Sequence, residues 1–248
     1  MMRYIVFLGI VSIVWSCKLK KISDFHGDNI AVVDTIPVEN KLDGMIAPYK
    51  VEMESKMNKV IGHTRTSLTN FSPESPLGNF VADVVFESGF KYGIDNENVS
   101  LEKWNTLCLI NFGGLRAPIN EGDISIRHIY ELMPFDNEIV IVSLSPSQVI
   151  EMLNYLFAKH GQPISNAQAV LSSNKKELII GGRVYNLERH INVITSDYLA
   201  KGGDKMSFFK SSKMIQTGVL MRDALLDYVS MKKELPKFEI EDRMFFVK

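Results

Sequence analysis

Cysteine is almost missing from this sequence of 248 residues, which holds Cys17 and Cys108 and no other. A disulfide framework is thereby excluded, and Cys108, inside the apolar run from Leu107 to Ile110, reads as a small buried hydrophobe. A reactive thiolate needs a cationic and partly open setting that such neighbours do not provide. An excess of one charge is missing too: 28 Lys and Arg stand against 29 Asp and Glu, for a formal net charge of -1. Without a broad positive field there is nothing to hold a phosphate backbone, so nucleic acid is not an expected partner. A hydrophobic run long enough to cross a bilayer is also lacking. The apolar stretch from Tyr4 to Trp15 is too short for a span, and with Arg3 ahead of it has the layout of a secretion signal.

That stretch ends in Val14-Trp15-Ser16-Cys17. A small residue directly before cysteine resembles the lipobox of bacterial lipoproteins, which implies cleavage there, acylation of Cys17 and anchoring in the bacterial cell envelope. Val14 and Trp15 depart from the usual lipobox residues, so cleavage by an ordinary signal peptidase is the alternative. Residues 18–40 are polar, irregular and interrupted by Pro37, as a tether would be, and the folded domain is placed at residues 41–248.

The signatures of self-sufficient catalysis are absent as well. There is no Gly-x-Ser-x-Gly elbow and no phosphate-binding P-loop. Asp24-Phe25-His26-Gly27 has the Asp-x-His-Gly form with which binuclear metallophosphatases begin their metal site, but it lies in the tether, with no buried strand before it. The further Asp, Asn and His ligands of a two-metal site are not found. His63, His128, His160 and His190 are scattered, and His128 with Glu131 reads as a solvated helix face.

What is present is one mixed α/β domain of the α+β class, a mixed sheet with flanking helices. Met45, Tyr49, Met53 and Val60, with Ile46 and Met57 beside them, recur near the helical period and predict an N-terminal helix with a core-facing stripe, then a strand from Val60 to Leu68. A second helix is expected from Leu77 to Gly89, and a buried strand from Thr106 to Phe112 that stops at Gly113-Gly114. Strand Glu138 to Leu144 leads into Ser145, Pro146 and Gln148, an N-cap, first-turn proline and capping box, and the helix they open reads as structural. Strands are expected at Ala169 to Ser172, Leu178 to Ile180 and Ile191 to Thr195, with a turn at Gly181-Gly182. A last helix runs from Val219 to Lys232, and an alternating strand lies near Phe238 to Val247.

Two glycine loops stand out, because each brings specific side chains to the end of a strand: Asn111 to Arg116, and Asp197 to Asp204. Together with Glu74-Ser75-Pro76-Leu77-Gly78-Asn79 and the following Ala82-Asp83, with Gly122-Asp123-Ile124 and with Pro134-Phe135-Asp136-Asn137, they resemble the successive motifs of the C-terminal domain of 5'-nucleotidases. Order and spacing match over roughly residues 45 to 246.

The resemblance implies a substrate-binding domain without the N-terminal metallophosphatase domain. In that family the C-terminal domain holds the nucleoside, and the N-terminal one holds two metals and hydrolyses. Carried over, Phe135 and Tyr198 sandwich the base, Asn111 and Asn137 contact the nucleoside, Asp204 accepts the ribose hydroxyls and Arg116 faces the phosphate. These roles suit the groups: aromatic faces stack, a carboxylate accepts from a diol, and a guanidinium grips phosphate. Gly113, Gly114, Gly202 and Gly203 shape the loops. No residue of this chain is expected to be catalytic or to bind metal, and no cofactor is expected in it. The divalent metal pair belongs to a separate metallophosphatase partner, and the ligand is a nucleoside or nucleoside monophosphate. One position departs from the family: members usually carry arginine just before the Glu-Ser-Pro-Leu-Gly-Asn stretch, where this chain has Asn70-Phe71-Ser72-Pro73. The alternative reading is a stand-alone nucleoside-binding envelope lipoprotein.

Overall fold

The computed structural model of the chain describes residue 27, residues 40–96 and residues 101–247. The signal-like segment, Cys17, Asp24, His26 and nearly all of the tether lie outside these residues. Contacts divide the chain into Met1–Ala47 and Pro48–Lys248. Among the described residues the first unit contains Gly27 and the beginning of a helix, α1 (Asn40–Met57). The stripe expected to face the core is exposed instead, Met45 at 62%, Tyr49 at 76% and Met53 at 51%. Periodicity reports that a helix is amphipathic; it does not report what covers the apolar side.

The second unit continues with β1 (Val60–Thr64) and α2 (Pro76–Asp95). Helix α2 starts where Ser75 Oγ accepts from Gly78 N–H and Pro76 occupies a first-turn position that needs no donor. It does not end at Gly89, as expected, but passes it. A Cβ on Gly89 would lie 2.6 Å from Ile194 Cγ2, so this glycine lets the helix settle closely on the sheet rather than stopping it.

The chain then forms β2 (Thr106–Leu109), β3 (Gly122–Ser125), α3 (Ile126–Leu132), β4 (Glu138–Leu144) and α4 (Pro146–Ala158). The expected capping box opens α4, Gln148 Oε1 accepting from Ser145 N–H at 2.9 Å. His128, expected on a solvated face, closes a similar box at α3 by accepting from Ser125 N–H at 3.1 Å. Next come β5 (Ile164–Ser165), β6 (Ala167–Leu171), β7 (Lys176–Ile180), β8 (Arg183–Val184) and β9 (Ile191–Ser196). The chain closes with the short α5 (Asp197–Ala200), β10 (Met214–Leu220), α6 (Met221–Lys232) and β11 (Met244–Phe246).

The central sheet has the order β10-β4-β9-β2-β5, with β9 and β2 parallel and the other pairs antiparallel. A second sheet has the order β11-β6-β7-β8, and β1 pairs with β3. The fold is therefore the mixed α+β arrangement expected. Alternation in β4 feeds two cores: Ile139 and Ile141 join the side packed by α2 and α6, and Val140 and Val142 join the side packed by α4 and the second sheet.

The Glu74-to-Asp83 motif clamps the C-terminal segment. Buried Glu74 accepts from Asn79 Nδ2 at 2.7 Å and from the backbone N–H of Glu241 and Arg243, both at 2.8 Å. Asp83 takes both terminal nitrogens of Arg243, at 2.6 and 2.8 Å. Burial pulls the Arg243 pKa down, but the bonds and charge of Asp83 and then Glu241 outweigh it and leave it raised. The clamp also explains why the expected strand over Phe238 to Val247 contracts to three residues, since a carboxylate rather than a neighbouring strand satisfies that backbone.

Candidate functional site

The two glycine loops meet beside the start of β4. Asn111 and Phe112 leave the central sheet after β2, and the chain tightens into a 3-10 turn over Phe112–Gly114. This loop is held from outside its own sequence. Phe112 N–H donates to Gln162 Oε1 at 2.9 Å, and Asn70 Nδ2 donates to Phe112 O at 3.2 Å and to Leu115 O at 3.4 Å. Asn70, in the Asn70-Phe71-Ser72-Pro73 stretch that lacks the family's arginine, thus fastens the loop. Gly113 and Gly114 keep ordinary backbone angles; what they provide is room, because a Cβ on Gly114 would lie 3.0 Å from Asn111 Oδ1.

The second loop begins where β9 ends. Ser196 Oγ caps α5, and Asp197 Oδ1 accepts from Glu138 N–H at 3.2 Å, which ties this loop to the start of β4. Lys201 is paired with Asp197 Oδ2 at 2.7 Å, and that hydrogen bond raises its pKa. Gly202 then takes φ 91°, a left-handed turn that favours glycine. Gly203 is packed under an aromatic ring: a Cβ there would lie 2.5 Å from Tyr198 Cε1 and Cζ.

The turn delivers Asp204 in a left-handed conformation, φ 49° and ψ 26°. For a residue with a Cβ this costs about 1–2 kcal/mol, less for Asp than for most. Each of its polar groups is engaged. Oδ2 accepts from Asn111 Nδ2, Oδ1 accepts from the Tyr198 hydroxyl at 3.1 Å, its N–H donates to that hydroxyl at 3.2 Å, and its carbonyl accepts from the Tyr155 hydroxyl at 3.0 Å. At about 0.5–1.5 kcal/mol net each, these bonds offset the strained backbone.

Phe135 comes from the segment that joins α3 to β4. Arg222, at the start of α6, pairs with Asp136 there, and its guanidinium lies 4.4 Å from the centre of the Tyr130 ring. Asn137 is fixed through its carbonyl, which accepts from Met221 N–H at 2.9 Å.

These segments enclose a cavity of about 330 Å³. Its lining includes Asn111, Arg116, Phe135, Asn137, Tyr198 and Asp204, all six residues expected to contact a nucleoside, and also Gly113 and Gly114. Gly202 and Gly203 act from behind, through the turn and the ring. Phe135 and Tyr198 are 43% and 45% exposed, so two large aromatic faces remain open to the cavity. Arg116 donates to Gly113 O at 3.3 Å rather than pairing with Glu121 or Asp123, and among the described residues no carboxylate pairs with it. Arg65 is elsewhere, ion-paired with Glu234 beside a separate cavity of about 590 Å³.

Sequence reasoning missed Tyr155 and Gln162. Tyr155 lies on the helix read as structural, and a polar tip on a largely apolar helix gives no local sign that it reaches another loop. Gln162 follows Gly161, whose φ of 93° ends α4 and turns the chain back toward the site. Among the described residues, no group of three or more His, Cys, Asp or Glu side chains converges.

Comparison with known proteins agrees with the fold. The sequence model of the family described as "5'-nucleotidase, C-terminal domain" matches residues 56–211. A snake venom 5'-nucleotidase of Macrovipera lebetinus is 24% identical, over 97% of this chain and 65% of that protein. The trifunctional nucleotide phosphoesterase YfkN of Bacillus subtilis is 25% identical, over 84% of this chain and 15% of that protein. Among solved structures, a 5'-nucleotidase precursor from Thermus thermophilus superposes with a TM-score of 0.68 at 20% identity, over 85% of this chain and 44% of that one. The NAD nucleotidase of Haemophilus influenzae superposes with a TM-score of 0.62 at 15% identity, over 85% and 42%. The chain thus spans less than two thirds of each of these relatives, and the fold, the order of the motifs and the matched model agree: it belongs to the 5'-nucleotidase C-terminal domain family.

Proposed function

We propose that this chain is the nucleoside- and nucleotide-recognition part of an extracytoplasmic 5'-nucleotidase system, held at the cell envelope through Cys17. In this reading the hydrolytic metal pair is supplied by a metallophosphatase on a separate chain. The observation that carries it is one cavity combining two open aromatic faces, a braced carboxylate, two amides and an unpaired guanidinium. A flat base, a ribose diol and a phosphate need those groups in that proportion. Phe135 and Tyr198 stack the base, each face contributing about 1–3 kcal/mol. Asn111 and Asn137 contact the nucleoside, Asp204 accepts from the ribose hydroxyls and Arg116 faces the phosphate.

Titration calorimetry with adenosine and adenosine monophosphate tests the binding. Phe135→Ala and Tyr198→Ala should each weaken it by about 5- to 150-fold, the stacking energy converted to affinity. Phosphate release should need the added metallophosphatase. Absence of binding, with or without that partner, would refute the proposal.

One observation favours a second reading, a stand-alone nucleoside-binding protein of the envelope. Among the described residues Arg116 is the one cationic side chain lining the cavity, and the Asn70-Phe71-Ser72-Pro73 stretch, where the family carries a further arginine, has none. Equal affinity for adenosine and its monophosphate would support it.

A further inference from the structure

We propose that Tyr155 is a positioning residue for ribose recognition: from α4 it sets the orientation of the Asp204 carboxylate, and so makes the site selective for ribonucleosides. This rests on the nucleoside-binding reading given above. Asp204 follows Gly203 in a turn whose backbone is left-handed at Gly202, Asp204 and Lys205, with φ of 91°, 49° and 66°. Such a turn has few contacts of its own to fix the direction of a side chain. What fixes it are contacts from outside the turn: Tyr198 at Oδ1 and N–H, Asn111 at Oδ2, and Tyr155 at the backbone carbonyl.

Tyr198 and Tyr155 do different things. The Tyr198 hydroxyl bridges the N–H and Oδ1 of Asp204. Its ring is also proposed to stack the base, so it is drawn toward the ligand when one binds. The Tyr155 hydroxyl donates to the Asp204 carbonyl at 3.0 Å from outside the cavity that holds the six expected contact residues. Its anchor is independent of ligand: the ring meets Phe208 edge to face at a centroid distance of 5.6 Å, and Phe208 is buried in the core beneath α4. With the carbonyl held by Tyr155 and Oδ2 met by Asn111, the carboxylate has one orientation before the ribose arrives. Pre-orientation of this kind strengthens the contact it serves without touching the ligand.

A Tyr155→Phe substitution removes the hydroxyl and keeps the ring on Phe208, so the fold should survive with little change in melting temperature. Calorimetry on the full chain would compare adenosine with adenine, which has the base and no ribose. The proposal expects adenosine to bind about 3- to 10-fold more weakly to the variant, the scale of one lost hydrogen bond. Adenine affinity should stay within twofold of wild type. In an Asp204→Ala background, which has no carboxylate to orient, Tyr155→Phe should have no effect on adenosine.

Equal loss for adenosine and adenine would mean general loosening of the pocket and would overturn the proposal, as would unchanged adenosine binding or the same loss persisting in the Asp204→Ala background. Should Tyr155→Phe melt early, Tyr155→Leu, which also lacks the donor, is read by the same ratio. A wild-type chain that binds neither ligand refutes the nucleoside reading itself, and this inference with it. A wild-type chain that prefers adenosine, with a variant that prefers it equally, refutes only the role of Tyr155.

Discussion

Gly203→Ala tests the site through a single methyl group. The added Cβ would stand 2.5 Å from Cε1 and Cζ of Tyr198 and 2.7 Å from Cδ1. Carbon atoms rest at about 3.5–4.0 Å, so the ring must retreat by roughly 1 Å. That carries the Tyr198 hydroxyl out of reach of Asp204 N–H and Oδ1, now 3.2 and 3.1 Å away. Stability should suffer, although the ring is 45% exposed and can move into solvent: two lost hydrogen bonds at about 0.5–1.5 kcal/mol each give a fall of about 1–3 kcal/mol. Binding should suffer by a similar amount. Loss of one stacked face removes about 1–3 kcal/mol, or about 5- to 150-fold in adenosine affinity. Calorimetry gives the affinity, and denaturant titration gives the stability. If the ring is the cause, Gly203→Ala should cost nothing further in a Tyr198→Ala chain, where no ring meets the new methyl. Adenosine affinity within twofold of wild type, or an undiminished stability cost in the Tyr198→Ala chain, would refute this account.

Other perturbations bear on the framework. Asp83→Ala takes from the nearly buried Arg243 guanidinium the carboxylate that holds two of its nitrogens and leaves it paired with Glu241, and should lower unfolding free energy by about 1.5–3 kcal/mol in urea titration. Gly89→Ala forces a methyl against Ile194 in the core and should cost about 1–3 kcal/mol, whereas Gly44→Ala, on α1 with nothing within 4 Å, should not destabilise the chain in the same assay. Alkaline pH should also unfold the chain. Burial raises the hydroxyl pKa of Tyr155, Tyr185 and Tyr228 above the ordinary 10.0. The unfolded chain then releases these protons first, so their contribution is complete below pH 10 and declines as pH rises through and beyond it. Unfolding midpoints should be flat from about pH 7 to 9 and fall above 10.

Much of this was legible in the sequence, for reasons visible at particular residues. Strand β4 and helix α4 were readable because Ser145, Pro146 and Gln148 mark the junction within four residues. That the six residues expected to contact a ligand meet around one cavity was readable because each lies in a short motif whose order survives. What escaped depends on distant contacts. Strand β10 was read partly as helix because Val219 and Leu220 are apolar in either setting, and only pairing with β4 decides between them. The Met45, Tyr49 and Met53 stripe has a core-like pattern but is exposed. Tyr155 and Gln162 are joined to their loops across 49 and 50 residues, a separation that no local spacing reveals.

The latch between Asp197 and Glu138 has a mechanical meaning. Phe135 precedes β4 and Tyr198 follows β9, and these two strands pair side by side with Ile139 opposite Ser196. The two aromatic jaws proposed to grip a base are therefore mounted on neighbouring rails of one sheet, about 4.8 Å apart, not on two independent arms. Exchanging one aromatic for another alters the grip without altering the gauge. To admit a thicker ligand the chain would have to slip β4 against β9, and a slip of one residue would turn Ile139 and Val140 each toward the wrong core.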